Sequence, residues 1–416
     1  MNFDDTPEEA AFRAEARAWL DANAPRRLDP ILSKASFGIG LENVEGFDWV
    51  GESRAWQRKK FESGWACLHW PKEYGGRAAS AIERVIWQQE EGIYALLNGP
   101  FSIAHGMAGT TMMEHATEAM KERYLAPMVR GEEIWCQLFS EPSGGSDLAG
   151  LRTKAERDGG DWIINGQKIW TSGAHFSDYG ILLTRTDPSV PKHKGLTMFV
   201  LNMRAPGVEV RPIKQANGNS GFNEVYFTNV RIADDQRIGA VNNGWNVAVT
   251  TLMNERLLIA AGMPTGFAEI FEFCNRLETA EGPAINDRAV RAKLATWAAA
   301  TSGLKYSVFR TISALSRGAT PGPENSIGKL VAGSMMQDIA FFAADLEGQS
   351  GALNDAAVSA FGARFQAMML RTPGMRIEGG SDQILRNIIS ERILGLPGDV
   401  RVDKDVPFTQ VPTGAN

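Results

Sequence analysis

The 416-residue chain has only three cysteines and five histidines, and it has no long apolar run. Cys67, Cys136 and Cys274 are far apart and form no CxxC pair. This argues against a disulfide scaffold and a cysteine metal knuckle, and it fits a reducing, cytoplasmic compartment. His69, His105, His115, His175 and His193 do not cluster at metal spacing, so no metal site is expected. No stretch approaches the roughly 20 apolar residues that span a bilayer. The acidic opening MNFDDTPEEA lacks the cationic and apolar regions of a secretory signal. An excess of positive charge is also missing: 43 Lys and Arg stand against 49 Asp and Glu, a net −6, and no basic tract stands out. Nucleic acid is therefore not an expected partner. Neither GxGxxG after a strand nor GxxxxGK[ST] occurs, which disfavours a Rossmann dinucleotide fold and a P-loop.

What is present falls into three compositional zones. Residues 1 to about 130 read as helical. Thr6 is an N-cap, with Pro7 in the first turn and Glu8 and Glu9 near the positive helix end. Phe12, Ala16, Trp19 and Leu20 then fall at helical spacing. Residues 134 to about 233 change period. Strands are predicted at 153–157 and 162–164, around the turn at 158–161. Asn165-Gly166 reads as a hairpin, with Gln167 to Trp170 as its return strand. Further strands are predicted at 179–185, 196–202, 207–213 and 223–232. Helices are predicted at 244–278 (with a kink at Pro264), 287–317, 325–348, 353–370 and 382–394. The polar tail after 400 reads as loosely held. The expected architecture is α+β and multidomain: an N-terminal α-helical domain (1–133), a middle antiparallel β-barrel (134–240) and a C-terminal four-helix-bundle-type domain (241–416).

The stretch from Trp135 to Ser172 carries more polar and glycine residues than a plain barrel needs. A loop, Ser140-Glu141-Pro142-Ser143-Gly144-Gly145-Ser146-Asp147, is followed downstream by Trp170-Thr171-Ser172. The hydroxyls and backbone amides could serve the hydrogen-bonding edge of a flat heterocycle, and the indole could wall one face. The residues alone equally allow a surface turn and a barrel tryptophan.

This stretch resembles the flavin-binding segment of acyl-CoA dehydrogenases. That family carries a Thr/Ser-Glu-Pro-x-x-Gly-Ser-Asp loop, an NGxK segment and Trp-x-Thr/Ser. Here they read Ser140 to Asp147, Asn165-Gly166-Gln167-Lys168 and Trp170-Thr171-Ser172. Trp70-Pro71-Lys72-Glu73-Tyr74-Gly75-Gly76 and Gly379-Gly380-Ser381-Asp382-Gln383-Ile384-Leu385-Arg386 look like two more of its segments, so the resemblance covers nearly the whole chain. It implies FAD as cofactor, with Phe139, Ser140, Trp170, Ser172, Ser381 and Gln383 lining it and Ser146 on the CoA side. Two departures stand at the adenosine end. The family's Arg-x-x-Phe-Gly is absent where Arg276 to Gly282 stands. Its Gln-x-x-Gly-Gly-x-Gly is absent near Phe361-Gly362-Ala363.

The implied reaction removes an α-proton from an acyl-CoA while a β-hydride leaves. It needs a desolvated carboxylate base and donors to the thioester oxygen. Glu378 is tempting, but the family's base lies four residues before the Gln of Gln-Ile, and that position here is Gly379. Glu255 follows Ala248 and Leu252 and precedes Ile259 at helical spacing, so it falls on an apolar stripe. The residues alone leave open a buried base or a structural ion pair. Isovaleryl-CoA and long-chain acyl-CoA dehydrogenases carry their base at a Glu-Arg pair on this helix, which the resemblance transfers to Glu255. Arg256 is then near the CoA, and the Gly379 N–H is the thioester donor. The implied partners are an acyl-CoA, an electron-transfer flavoprotein and further copies in a homotetramer or homodimer, with a hetero-oligomer as the alternative. The competing functions are a flavin oxidase or monooxygenase on the same scaffold, and a non-catalytic subunit.

Overall fold

A computed structural model of the chain describes residues 5–25, 46–92, 94–260, 265–315, 317 and 322–411, without the side chains of 95, 96, 255–260 and 315. The N-terminal unit contains α1 (Pro7–Asn23), α2 (Trp49–Glu62), α3 (Ala81–Glu91), α4 (Gly109–His115) and α5 (Glu118–Arg130). The Thr6 side chain accepts from the Glu9 N–H and the Glu9 carboxylate accepts from the Thr6 N–H, a capping box with Pro7 just inside it. Phe12, Trp56, Trp65 and Trp87 form this unit's aromatic core.

The middle unit is an eight-stranded sheet of β1 (Trp135–Leu138), β2 (Lys154–Asp158), β3 (Asp161–Ser172), β4 (Tyr179–Arg185), β5 (Leu196–Asn202), β6 (Val208–Ile213), β7 (Phe222–Ala233) and β8 (Arg237–Ile238). The spatial order is β6-β7-β3-β2-β4-β5-β8, with β1 on β4. Most pairs are antiparallel, but β1 runs parallel to β4, and β2 meets β4 parallel at a single residue pair. Both faces are covered. Along β5, Met198 and Val200 pack toward Trp70, Leu125 and Met128 of the N-terminal unit, while Phe199 and Leu201 pack with Trp162 and Val225 on the other side.

The C-terminal unit holds α6 (Gly244–Ala260), α7 (Phe267–Arg276), α8 (Arg288–Leu315), α9 (Asn325–Leu346), α10 (Arg364–Met375) and α11 (Asp382–Arg392). Val247 and Ala248 of α6 join the core shared with the sheet and the N-terminal unit. Ile270, Leu294, Met336, Ile339 and Phe365 build a separate helical core.

Four expectations need correction. First, Asn165-Gly166 makes no hairpin; it lies inside the continuous strand β3, at a slip in register against β7. Gly166 is required there for close approach, not for a turn, because a Cβ would come within 2.7 Å of the Thr153 Cα. Second, the long helix expected at 244–278 is two helices, and Gly266, at φ +73°, opens the second. Pro264 lies outside the described residues. Third, the helix expected at 353–370 begins only at Arg364, because Phe361, Gly362 and Ala363 are all left-handed. Fourth, the tail is held as far as Val411. Phe408 N–H donates to the Val190 carbonyl (2.9 Å), Thr409 N–H donates to that of Pro188 (3.1 Å), and the Phe408 ring covers the Arg185 guanidinium at 3.6 Å. A composition-based reading misses this strap because its partners lie over 200 residues upstream.

Candidate active site

The loop between β1 and β2 is clamped from beneath. Glu141 and Gly144 exchange two backbone hydrogen bonds of 3.0 Å, closing a tight turn. The buried Glu141 carboxylate accepts from the N–H groups of Arg152 (2.6 Å) and Thr153 (2.8 Å) and from Lys168 Nζ (2.9 Å). Lys168, with a side-chain exposure of 0%, also donates to the Phe139 carbonyl at 2.9 Å, and Ile169 N–H donates to the Ser140 carbonyl at 2.9 Å. Phe139 and Ser140 are thereby tied to β3 just before Trp170. Burial alone would raise the Glu141 carboxyl, but the Lys168 ammonium and the Thr153 donors outweigh it and hold it below the usual carboxylate range. Glu141 is an ionised structural clamp.

Directly after Lys168 the β3–β7 register slips again. Trp170 takes φ +59°, a left-handed conformation that costs a non-glycine residue about 1–2 kcal/mol. The slip turns the indole outward to 56% exposure, edge-on to Phe222 at 6.0 Å. Thr171 is buried beneath it, with its carbonyl accepting from Asn223 Nδ2 at 2.9 Å. Ser172 is again exposed. On the loop, Gly145 lies beside Ser140, where a Cβ would make only ordinary contact with its Oγ at 3.5 Å. An open indole face beside Ser140 and Ser172 suits a flat, hydrogen-bonding heterocycle.

Ser172 also lines a cleft of about 230 Å³ where the three units meet. Gly173, Phe176 and Phe222 come from the middle unit, Trp49, Pro100, Ser102 and Ile103 from the N-terminal unit, and Arg371 from α10. The walls are aromatic and aliphatic, with scattered hydroxyls, the amides of Gln215 and Asn219, and one guanidinium. Sequence reasoning missed Trp49, Ile103 and Arg371, because no local pattern links residues so far apart in the chain.

The C-terminal candidates lie beyond Arg371. Both Glu378 carboxylate oxygens accept from Arg371 Nη2, at 2.7 and 2.9 Å, so this carboxylate is already paired. Gly379 and Gly380 follow at φ +60° and +96°. The Gly379 N–H donates to no backbone carbonyl among the described residues, and Lys329 Nζ holds the Gly380 carbonyl at 2.6 Å. Ser381 caps α11, its hydroxyl accepting from Ile384 N–H at 3.3 Å; Gln383 is exposed two residues on, in the first turn. Asp382 is buried against Arg376 (2.7 Å). Ser381 and Gln383 sit on a helix packed against α9 and not on the sheet. Ser146 is exposed at the loop's end, beside Asp147. Glu255 and Arg256 lie on α6, but their side chains are outside the described residues. Among the described residues no His, Cys, Asp or Glu group could hold a metal, and no helix is long and apolar enough to cross a membrane.

A helical unit, a sheet and a second helical unit meeting at one cleft define the class, and sequence comparison fixes it. Family models for the N-terminal, middle and C-terminal domains of acyl-CoA dehydrogenase match residues 6–132, 136–230 and 242–394, so the chain belongs to the acyl-CoA dehydrogenase family. Among named relatives, acyl-CoA dehydrogenase IpdE1 of Mycobacterium tuberculosis is 35% identical over 94% of this chain and 98% of its own length. Acyl-CoA dehydrogenase FadE34 of the same organism is 40% identical over 81% of this chain, which spans only 45% of FadE34. Two solved structures share the fold. The ChsE4-ChsE5 complex from Mycobacterium tuberculosis is 26% identical, with TM-score 0.77, over 96% of this chain and all of its own. The Tcur3481-Tcur3483 steroid ACAD is 25% identical, with TM-score 0.79, over 96% and 100%. The protein is thus an oxidoreductase, and FAD is the cofactor of its family. The open Trp170 face and the flanking hydroxyls fit the flavin's ring.

Proposed function

We propose that the chain converts an acyl-CoA thioester to its trans-2-enoyl-CoA and passes the electrons to an electron-transfer flavoprotein that docks beside the exposed Trp170. The observation that carries this reading is the buried Glu141–Lys168 clamp, which holds a strained, outward-facing indole at the edge of a cleft shared by all three units. In this reading Phe139, Ser140, Trp170 and Ser172 hold the flavin ring. Ser381 and Gln383 reach the cofactor from the C-terminal unit, and Ser146 and Arg256 contact the CoA. When bound, FAD accepts the β-hydride. Glu255 takes the α-proton; its position on α6 continues, at helical period, the row of buried Ala248 and Thr251. The Gly379 N–H hydrogen-bonds the thioester oxygen as negative charge develops there. The pairing of Glu378 with Arg371 supports a structural role for that carboxylate and favours Glu255 as the base. The division into units at 133/134 and 240/241 and a homotetramer or homodimer belong to the same reading. The steroid ACAD neighbour and the aromatic walls supplied by Trp49, Phe176 and Phe222 support a bulky, steroid-derived acyl group.

The test is anaerobic flavin bleaching across linear, branched, aromatic and steroid-side-chain acyl-CoAs. Glu255→Gln is expected to slow bleaching by about 10²–10⁴-fold, and Glu378→Gln by less than about twofold. The reverse pattern removes Glu255 from the base role. A second reading, a non-catalytic subunit of a hetero-oligomer, draws on the two-component ChsE4-ChsE5 complex. It requires protein purified in its native assembly to carry no yellow flavin in this chain's site.

A further inference from the structure

We infer that the C-terminal strap from Asp403 to Thr409 is a positioning element for the CoA end of the active site, acting through Lys192 and Arg185 on the loop that ends at Ser146 and Asp147. Lys192, only 8% exposed, joins strap and loop: its Nζ donates to both Asp147 oxygens, at 2.9 and 3.0 Å, and to Asp403 Oδ2 at 2.5 Å. Arg185 works from below. Its guanidinium is buried with no salt bridge among the described residues, and its donors go to the carbonyls of Leu151 (3.1 Å), Lys192 (3.1 Å) and Ala149 (2.5 Å). It therefore ties the segment after Asp147 to the turn that carries Lys192. The Phe408 ring lies over this guanidinium at 3.6 Å and shields it from water, a contact that strengthens both the cation–π attraction and the three hydrogen bonds. Pro407 pairs across to Pro191, and Phe408 N–H closes on the Val190 carbonyl, so the strap fixes the 188–192 turn along its length. None of these hydrogen bonds and ring contacts involves Trp170, whose ring meets Phe222. The strap acts on the opposite end of the same loop, where Ser146 and Asp147 stand.

This inference rests on the reading that Ser146 faces a CoA thioester, and the probe is coenzyme A itself, titrated into the FAD-loaded protein by calorimetry. Phe408→Ala is expected to weaken CoA binding by about tenfold, with bound FAD and Tm close to wild type. Asp403→Asn gives a sharper test, because its sign separates position from charge. Removing a carboxylate beside a polyanion's site tightens binding if charge alone matters. Here it is expected to loosen CoA binding by about fivefold, and Asp403→Glu to restore it. Unchanged or tighter CoA binding in both Phe408→Ala and Asp403→Asn overturns the positioning role, as does weakened binding that merely tracks a fall in Tm. If the wild-type protein binds no CoA but retains FAD, the acyl-CoA reading of the site fails, and this inference fails with it.

Discussion

Two carboxylate–cation pairs flank the site, and they differ in almost every physical respect. Glu141–Lys168 in the middle unit is buried, reinforced by two backbone N–H donors and a carbonyl, and continuous with the sheet. Arg371–Glu378 in the C-terminal unit is partly exposed, with side-chain exposures of 28% and 40%, and it joins a helix to a glycine turn. The first pair cannot be opened without stranding a charge in the interior, so it sets the geometry of the Ser140 loop and Trp170 rigidly. The second can exchange its partners for water at little cost, so it orients the approach to Gly379 without determining it. The half of the site that would face the flavin ring is built like a core. The half that would face the thioester is built like a surface.

Breaking the buried pair gives the largest expected effect. Lys168→Met leaves Glu141 buried and uncompensated and should cost about 3–5 kcal/mol, read as a fall in the urea midpoint together with loss of bound flavin. The N-terminal unit extends the comparison through a half-buried polar group, His105, whose Nε2 faces the Met128 carbonyl at 2.9 Å. Burial pushes this imidazole down from 6.5 to about 4. Its neutral form is favoured by folding, so its contribution is fully present above pH 6.5. It is lost as the pH falls from 6.5 toward 4, because the unfolded chain takes up a proton that the folded one refuses. Stability should therefore drop by about 2 kcal/mol between pH 7.5 and 5 on account of this residue. His105→Gln should flatten that slope in denaturation curves. Trp170→Gly should split stability from binding. Relief of the left-handed strain is worth about 1 kcal/mol, so Tm should hold or rise while flavin affinity falls. A parallel fall in both would show that the indole supports the fold and is not held out for a ligand. The smallest effect belongs to the exposed pair: Glu378→Gln should change stability by less than about 1 kcal/mol in thermal melts. A larger loss would erase the contrast between the two halves.

Much of the ring-facing half was legible in the sequence. The polar loop with its glycines, the Trp170-Thr171-Ser172 segment and the strands at 179–185 and 196–202 are written in local composition and period. These signals survive because they need only nearest neighbours along the chain. Asn165-Gly166 shows where the same logic fails. The pair is the best short hairpin signal available, yet the structure uses the glycine to let Thr153 pass close to β3. A glycine that makes room for a neighbouring strand looks identical, in sequence, to one that makes a turn. At 361–363 the converse holds: the backbone is left-handed over Phe361, Gly362 and Ala363 although only one is glycine, because Phe361 is packed on Phe273 at 5.0 Å.

The sequence by itself determined the order of helical, sheet and helical zones, the capping of α1 and α11, the residues that form the loop and indole segment, and the family they resemble. All of these follow from short-range periodicity, capping chemistry and residue type. Only the tertiary structure decided that Glu141 and Lys168 neutralise each other beneath the loop. It alone turned Trp170 outward, committed Glu378 to Arg371, brought Trp49 and Arg371 to the same cleft as Ser172, and wrapped the strap around Arg185 and Lys192. Each of these depends on which distant segments come to share a low-dielectric interior or a common wall. That is settled by packing the three units together and is not encoded in any local stretch of residues.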